Sequence, residues 1–498
     1  MNQELHFPWL EIAILIPLLG AIGCFLFRNQ KQAYPLACIA SGLTFLCSVG
    51  EWIDFETLGS FSAHDHWDVF FNLFSKQVLV IDELSAPLLP LTALLYFLAI
   101  LSTPNSKAIR FPFLLTLVSE SLTVATLCCT NPGLLVAILG LSIVPVWFEL
   151  RDRNQCTRLF VIHMVIYVSC LLAGIAIFSW VLPSQSFMLL ASILLMTGSL
   201  VRAGVLPVHI WQVDLFERAS LGSALLFITP MTGAYAVMRL VLPIAPTWAM
   251  QSIAILSLAT AVYAAGMSLV QKEMRRFFCF LCLSQSSLVL AGLEISNTIG
   301  MTGALCVWLS ACVSLGGFGL IVRVVEARIG RISLDRFHGL FEQLPLLAAL
   351  FLLTGLSSIG FPGTLGFVGM ELLVEGTAEF YPLVGGLVVF TGALNGIAIL
   401  RAYFYVFTGT RHMATISLSP RRRERIAAIV LSLIVIGGGL WPQPMVHSRY
   451  HAANALLRLR QSQRNETSDL QSYTDMSDSI ATQAVIDVAT LPTVEPSN

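Results

Sequence analysis

The chain has 498 residues, of which 56% are hydrophobic and 11% charged, and its formal net charge is -1. Soluble proteins carry roughly 25% charged residues, so this composition, with a mean hydropathy of +0.79, excludes a soluble protein. It indicates a chain that crosses a lipid bilayer many times. The near-zero net charge gives no support for nucleic-acid binding.

Apolar segments long enough to cross a bilayer as helices recur along the chain. A crossing helix needs about 20 apolar residues, and the sequence predicts an all-α polytopic membrane protein with about fourteen of them. The predicted spans lie near residues 9–27, 34–50, 79–101, 111–130, 132–149, 158–182, 186–204, 220–243, 249–270, 277–294, 298–322, 344–361, 381–408 and 425–441. The runs 205–217 and 364–377 are predicted to continue two of these helices after a break.

Basic residues cluster in every second loop between the predicted spans. They are Arg28 and Lys31; Lys107 and Arg110; Arg151, Arg153 and Arg158; Lys272, Arg275 and Arg276; Arg328, Arg331 and Arg336; and Arg411, Arg421, Arg422, Arg423 and Arg425. Basic loops stay on the cytoplasmic side, whereas the loop 51–78 is acidic. We therefore expect a multi-pass protein of the cell (inner) membrane with both termini on the non-cytoplasmic side.

Two of the predicted helices are interrupted by glycine and proline. The first break contains Gly204 and Pro207, and the second contains Gly360, Pro362 and Gly363. Proline removes a backbone donor, and a broken helix inside a membrane survives only where protein or a wet cavity surrounds it. Interrupted helices in corresponding positions of two halves point to an inverted-repeat transporter.

The sequence divides into five predicted regions. Five helices per repeat, an odd number, would place the second copy upside down in the membrane. Residues 449–465 are expected to form a basic amphipathic helix, and the polar composition of 466–498 predicts disorder. The regions are an N-terminal three-helix part (1–110), two inverted five-helix repeats (111–243 and 249–408), a basic loop with the last helix (409–447) and a polar tail (448–498).

Ionisable residues near the first break are candidates for a proton pathway. A charge inside a membrane is costly and suggests function by default. Arg202 is either an electrostatic gate or one half of a structural ion pair, and Glu120, flanked by Ser119 and Ser121, is its candidate partner. His209 either shuttles protons, because its pKa lies near neutrality, or braces the broken backbone.

Two carboxylates follow the second break. Glu371 and Glu375 lie one helical turn apart and share a face, so they form either a second proton site or a solvated helix end. Most of the eleven cysteines lie in apolar runs, and Cys279 with Cys282 has no second pair to complete a metal site. The sequence thus predicts no cofactor and no metal.

Four ordered segments carry a resemblance to a known family. They are Arg202 to Trp211, Gly233-Ala234-Tyr235 with Arg239, Ser268 to Phe277 with Ser284-Gln285, and Ser357 to Gly369. They resemble the segments K-x-P-x-x-P-x-H-x-W, G-A-Y-x-x-x-R, Q-x-D-x-K-R-x-x-A-Y-S-S-x-[SA]-[HQ] and S-x-G-x-P-G-x-x-G-F-x-G of the antiporter-like subunits of respiratory complex I. The family also includes Mrp-type antiporter subunits, hydrogenase membrane subunits and a membrane subunit of inorganic-carbon accumulation systems.

The sequence departs from this family at several ionisable positions. Where the resemblance implies a glutamate, a lysine, a histidine and another ionisable residue, the chain has Gly140, Met231, Ser310 and Met370, and Arg202 replaces a lysine. Arginine hardly deprotonates and is therefore a poor proton carrier, whereas a desolvated lysine can switch. These changes favour a divergent member that serves another complex.

The resemblance leaves three functions open. The first is a proton-translocating antiporter-like subunit of a complex I-like (NADH:quinone oxidoreductase) assembly, with other membrane subunits as partners and no redox chemistry of its own. The second is the proton-conducting half of an inorganic-carbon uptake system with a large soluble zinc-dependent partner, or an Mrp-type cation/proton antiporter subunit. The third is a scaffold that has lost conduction.

Overall fold

A computed structural model describes residues 3–27, 30–65, 78–103, 111–180, 185–293, 295, 297–379, 381–410 and 419–461. Helices dominate this part of the chain, which confirms the predicted polytopic, helical membrane fold. Several residues used above lie outside the described ranges: Arg28, Lys107, Arg110 and Arg411 of the basic loops, part of the acidic loop, and the tail 466–498.

The helices follow the predicted spans closely. In chain order they are α1 (Trp9–Leu26), α2 (Gln30–Leu58), α3 (Leu88–Leu101), α4 (Phe113–Cys128), α5 (Pro132–Leu141), α6 (Ile143–Asp152), α7 (Arg158–Trp180), α8 (Gln185–Ala203), α9 (Ile210–Arg218), α10 (Leu221–Ile228), α11 (Thr232–Ala236) with a π-helix (Val237–Val241), α12 (Thr247–Val270), α13 (Met274–Leu293), α14 (Thr298–Ile329), α15 (Pro345–Ser358), α16 (Leu365–Ala378), α17 (Pro382–Phe407), α18 (Arg422–Leu440) and α19 (Gln443–Gln461).

Ten helical segments of the described residues are long and apolar enough to cross a membrane. The pair α18 and α19, bent by 79°, brings the number to eleven, and α3, α4 and α15 are shorter apolar helices. Every predicted span contains one of these helices. The count of about fourteen crossings and the division into inverted repeats remain predictions.

A small three-stranded sheet was not predicted. β1 (Gln3–Leu5) pairs in parallel with β2 (Ser62–Asp65), which pairs antiparallel with β3 (Val80–Asp82). The third span therefore does not begin at residue 79 as expected, because the apolar run continues through a strand before α3. Asp65 at the end of β2 accepts hydrogen bonds from the backbone N–H groups of Leu10, at 2.7 Å, and Glu11, at 3.2 Å. These bonds satisfy free donors at the start of α1.

The long helix α14 forms the centre of the second half. α16 packs so closely against it that no side chain fits between the two backbones at Gly303 and Gly369. A Cβ on Gly303 would lie 2.7 Å from the carbonyl carbon of Leu372, and one on Gly369 would lie 2.9 Å from the backbone nitrogen of Val307. Real Cβ atoms do not approach backbone atoms so closely. The two helices are therefore in direct backbone contact.

The C-terminal helix is docked onto the protein. α19 begins at Gln443, six residues before the predicted amphipathic helix. Its Arg449 is 1% exposed and donates to the backbone carbonyl of Leu84 at 3.0 Å and to that of Glu83. This helix therefore packs on the turn between β3 and α3.

Candidate functional site

The first break lies between α8 and α9. Gly204 has a φ of +74°, and a Cβ there would lie 2.5 Å from Cδ of Gln212, so only glycine fits. The carbonyl groups that the break frees are satisfied by side chains of α9: Gln212 Nε2 donates to Ala203 O at 3.0 Å, and Trp211 Nε1 donates to Val201 O at 2.9 Å. The interruption is thus a built feature with its own hydrogen bonds.

A further interruption, between α10 and α11, was not predicted. Met231 adopts a left-handed conformation with a φ of +52°, and its N–H donates to Ile228 O at 3.0 Å instead of to Phe227 O. The carbonyl of Phe227 is therefore free, and Arg202 Nη2 donates to it at 2.9 Å. The arginine at the first break is held by the carbonyl that this interruption exposes.

Arg202 is 3% exposed, and its guanidinium carbon lies 3.9 Å from the centroid of the Phe227 ring. Its Nε has no hydrogen-bond partner among the described residues. A cavity beside it is lined by Gln212, Met231 and Ser286, among others. Met231, which stands where the resembling family has a lysine, therefore lies beside the same cavity as Arg202 but carries no charge.

Glu120 is completely buried in α4. One carboxylate oxygen accepts a hydrogen bond from Ser41 Oγ at 2.7 Å, and the other has no partner among the described residues. Glu120 and Arg202 form no ion pair within the described part of the chain, so the expected partnership is wrong. Tyr96 of α3 lies within electrostatic range of both, and its hydroxyl is hydrogen-bonded to Ser119 Oγ at 2.8 Å.

His209 stands at the start of α9, where the chain resumes its helix. It is 8% exposed, and its ring centroid lies 5.4 Å from that of Tyr263 and 6.3 Å from that of Phe280. Its Nδ1 is buried without a hydrogen-bond partner among the described residues. The contacts suit either of the roles expected for it, a shuttle or a brace.

The second break lies between α15 and α16. Gly360 and Gly363 have φ values of +82° and +80°, a backbone conformation that glycine adopts without strain. A Cβ on Gly360 would lie 2.8 Å from Cβ of Met370, which is 8% exposed. Met370 thus fills the site where the resembling family has an ionisable residue.

Glu371 and Glu375 lie on the exposed face of α16, so the structure does not bring them together with Glu120 and Arg202. The second half contains buried neutral polar side chains, and its buried Glu326 forms an ion pair with Arg275. Asn395 Nδ2 donates to Ser284 Oγ at 2.8 Å, and both side-chain polar atoms of the fully buried Gln285 have no partner among the described residues. The buried ionisable candidates are therefore confined to the first half.

Several of these residues were missed from the sequence. Tyr96 and Asn395 are neutral and lie in apolar helices, so neither charge nor a break marks them. The contacts of Gln212, which follows the first break, and of Gln285, which lies in one of the resembling segments, were also not predicted. The usable signal was a lone amide inside an otherwise apolar membrane helix, because such a group needs an internal partner. Of the other replaced positions, Ser310 is buried and donates to Val307 O at 3.0 Å, and Gly140 is partly buried.

Two interrupted helices in a bundle of many membrane helices, with a buried charge beside the first, are the features expected of ion-translocating membrane proteins. The family model described as "NADH:quinone oxidoreductase/Mrp antiporter, TM" matches residues 155–395. Residues 155–395 are therefore similar to this family, in agreement with the resemblance of the motifs, and the chain is a multi-pass membrane protein.

Curated relatives extend the similarity over nearly the whole chain. The chain is 24% identical over 494 residues to NAD(P)H-quinone oxidoreductase chain 4 of Prochlorococcus marinus (strain MIT 9215), covering 91% of this chain and 92% of the relative. It is 25% identical over 483 residues to NAD(P)H-quinone oxidoreductase chain 4 1 of Synechococcus sp. (strain JA-3-3Ab), covering 89% and 91%.

Solved structures share the fold at lower identity. A chain of respiratory complex I from Thermus thermophilus with bound NADH superposes with a TM-score of 0.77 at 19% identity, covering 91% of this chain and 99% of that chain. A chain of the Mrp complex from Dietzia sp. DQ12-45-1b superposes with a TM-score of 0.79 at 17% identity, covering 91% and 98%. At such identities these likenesses establish the fold.

Proposed function

We propose that this chain is a proton-translocating, antiporter-like membrane subunit of a complex I-like assembly. The observation that carries the proposal is the fully buried Glu120 carboxylate. One of its oxygens accepts a hydrogen bond from Ser41, and the other has no partner among the described residues. A buried carboxylate without a cation partner is costly. Its presence at membrane depth is explained if it binds and releases a proton.

Arg202 acts in this proposal as a fixed positive charge. Its guanidinium hardly deprotonates, so it biases the carboxylate and the water in the adjoining cavity instead of carrying protons itself. His209 is the transferring group on the far side of the break. Gly204 and Pro207 keep the backbone interrupted between these two groups, and Arg202 lies beside the cavity.

The second half plays a different part. Its buried Glu326 is paired with Arg275, and both Glu371 and Glu375 lie on the outer face of α16. We infer that these two carboxylates form a proton site only where a neighbouring membrane subunit covers them. The proposed partners are therefore other membrane subunits of the assembly. They would pack on the two proposed inverted repeats, 111–243 and 249–408, and the second repeat contains the break at Gly360, Pro362 and Gly363.

The proposal includes an orientation. The basic loops lie on the cytoplasmic side of the cell membrane, which places both termini on the non-cytoplasmic side. The relatives named NAD(P)H-quinone oxidoreductase chain 4 favour a complex I-like partner set over an Mrp-type one.

The first test is purification of the full chain from its native membrane in mild detergent, followed by mass identification of the proteins that accompany it. We expect subunits of a quinone oxidoreductase. A single large soluble zinc protein would instead assign the chain to inorganic-carbon uptake, and Mrp subunits would assign it to cation/proton antiport.

The second test is proton flux by that purified assembly in liposomes that contain a pH-sensitive dye. Glu120→Gln is expected to lower the flux about tenfold or more, in the range of lost proton transfer. Unchanged flux in this variant, with normal assembly, would remove Glu120 from the proton pathway and overturn the proposal.

A further inference from the structure

We propose that α2 carries a buried proton path that joins Glu120 to a pocket around Glu51 on the side of the membrane opposite the basic loops. The path deepens the proposed function and rests on it, because it names the groups with which Glu120 exchanges protons. It lies in α1, α2 and α4, outside the two broken helices.

The face of α2 that packs against the protein is unusually polar. Four residues at helical spacing, Ser41, Thr44, Ser48 and Glu51, are each 0% exposed. The outward face is apolar, with Leu46 62% exposed. Serine and threonine are common where membrane helices pack, but a buried carboxylate is costly and suggests function. The row is therefore notable because it joins two buried carboxylates, Glu120 at Ser41 and Glu51 at its other end.

One end of this row is joined directly to the proposed proton carrier. Ser41 Oγ donates to Glu120 Oε1 at 2.7 Å, across the contact of α2 with α4. A hydroxyl is both a donor and an acceptor. Ser41 can therefore pass a proton to or from the carboxylate when its hydroxyl rotates.

The middle of the row consists of two more hydroxyl groups. Thr44 Oγ1 donates to Ala40 O at 3.0 Å, and Ser48 Oγ donates to Thr44 O at 2.9 Å. Both keep lone pairs that can accept. The helix rise of about 1.5 Å per residue puts neighbouring groups of the row roughly 4.5–6 Å apart along the axis, a gap that a hydroxyl and one bridging water can span.

The other end of the row is an acidic pocket. Glu51 is fully buried, and neither of its carboxylate oxygens has a hydrogen-bond partner among the described residues. Asp65, 2% exposed, is hydrogen-bonded to the side chain of Glu11 and is an electrostatic neighbour of Glu51. A group of buried carboxyl groups does not keep all of its charges, so these three residues hold at least one exchangeable proton in the proposed path.

The pocket is bounded by further titratable groups that face it from three elements. Glu11 of α1 and Cys128 of α4 lie beside it, and Asp54 follows Glu51 by one turn of α2. Asp54 Oδ1 lies 2.6 Å from Nδ1 of His6, whose side chain is 75% exposed. His6 and Asp54 thus connect the buried pocket with the surface.

The part of α4 next to Glu120 borders a small cavity. Tyr96, Ser119 and Glu149 are among its lining residues, and the Tyr96 hydroxyl is hydrogen-bonded to Ser119 Oγ. Glu149 also lines a wide cleft with Arg153 on the side of the basic loops. In the proposed path, Glu120 exchanges protons with this cavity through the neighbouring Tyr96 and Ser119 hydroxyl groups and with the row on α2 through Ser41.

The test uses the purified assembly with the full chain in dye-loaded liposomes. Glu51→Gln removes the ionisable group, and Thr44→Val removes a hydroxyl with little change of shape. We expect each to lower proton flux about tenfold or more. The matched controls Glu56→Gln and Thr57→Val make the same chemical changes on the exposed part of the same helix and leave flux unchanged.

The outcomes distinguish a failure of the path along α2 from a failure of the proposed function on which it rests. If Glu120→Gln lowers flux while Glu51→Gln and Thr44→Val conduct like the wild type, the path along α2 is wrong and the proposed function stands. If the wild-type assembly carries no protons, the proposed function fails and the path fails with it. Gel filtration of each variant shows whether a loss of flux comes from misassembly, and Thr44→Val serves should Glu51→Gln not fold.

Discussion

Asp82 and Arg239 form a two-point ion pair across 157 residues of sequence. Arg239 Nη1 donates to Asp82 Oδ2 at 2.7 Å, and Nη2 donates to Oδ1 at 2.8 Å. The paired geometry matches the planar guanidinium to the carboxylate. It attaches β3 to the π-helix that follows α11, so the small sheet fixes the end of the helices around Arg202.

Removing one partner of this pair should destabilise the protein. Asp82→Asn leaves a guanidinium, whose side chain is 13% exposed, without its counter-charge, and loss of one partner of a buried pair costs about 3 kcal/mol or more. We expect the midpoint of thermal unfolding in detergent to fall by several degrees. The exposed Asp335→Asn should leave it unchanged, and an equal fall in both variants would contradict the argument.

The same pair predicts sensitivity to acid. Burial alone would raise the pKa of Asp82, but the charge and hydrogen bonds of Arg239 outweigh it, and the pKa is lowered. A carboxylate with a lowered folded pKa adds stability above its unfolded pKa of about 3.9. This stability is lost as the pH falls through the folded value. Thermal midpoints measured from pH 6 down to pH 3 should therefore drop less in Asp82→Asn than in the wild type.

Glu83, in the turn before α3, should have the opposite pH dependence. Burial raises its pKa to about 7, against the lowering effect of Arg449 and with added repulsion from Glu56 and Asp82. A raised folded pKa makes ionisation unfavourable to folding, so stability is lost as the pH rises from about 4.3 through 7. Glu83→Gln should raise the thermal midpoint at pH 8 and leave it nearly unchanged at pH 5. A gain of equal size at both pH values would show that ionisation is not the cause.

The first break predicts a contrast between two glycines. Gly204→Ala should destabilise by about 1–2 kcal/mol from the left-handed backbone alone, and further because its Cβ meets Gln212. Gly266→Ala, in the middle of α12 with nothing within 4 Å of its Cβ, should be neutral or stabilising. Thermal unfolding of both variants measures the contrast, and similar midpoints would contradict it.

Proton flux should survive replacement of Arg202 by another cationic residue and by no other kind of residue. Arg202→Lys keeps a positive charge and a donor for the Phe227 carbonyl, so we expect most of the liposome proton flux to remain. Arg202→Gln keeps a donor without the charge and should lower flux about tenfold, equivalent to roughly 1.4 kcal/mol. Equal flux in the two variants would mean that Arg202 acts through its hydrogen bond only.

The positions of the helices could be predicted from the sequence because lipid imposes a long apolar run on each crossing segment. The two breaks could be predicted because glycine and proline mark them. The interruption at Met231 was missed because its left-handed conformation depends on packing. The short strand β3 was missed because it lies in an apolar run that predicts a helix.

The candidate site was predicted less completely. Arg202, Glu120 and His209 are buried where the sequence places them, but a sequence shows spacing along one helix and not the distance between helices. The expected contact of Glu120 with Arg202 was therefore wrong, and Glu120 is instead bonded to Ser41 of a helix 79 residues away in sequence. The outward direction of Glu371 was likewise set by how α16 packs on α14.

The direct backbone contact between α14 and α16 limits how the second half can move. Sliding one helix along the other would bring side chains into gaps that admit only hydrogen atoms at Gly303 and Gly369, so the two helices behave as a single strut. Movement of this strut relative to α15 is favoured at the joint between α15 and α16, where Gly360 and Gly363 permit rotation. Signals from a neighbouring subunit that touches Glu371 would reach the interior by tilting this strut as a unit.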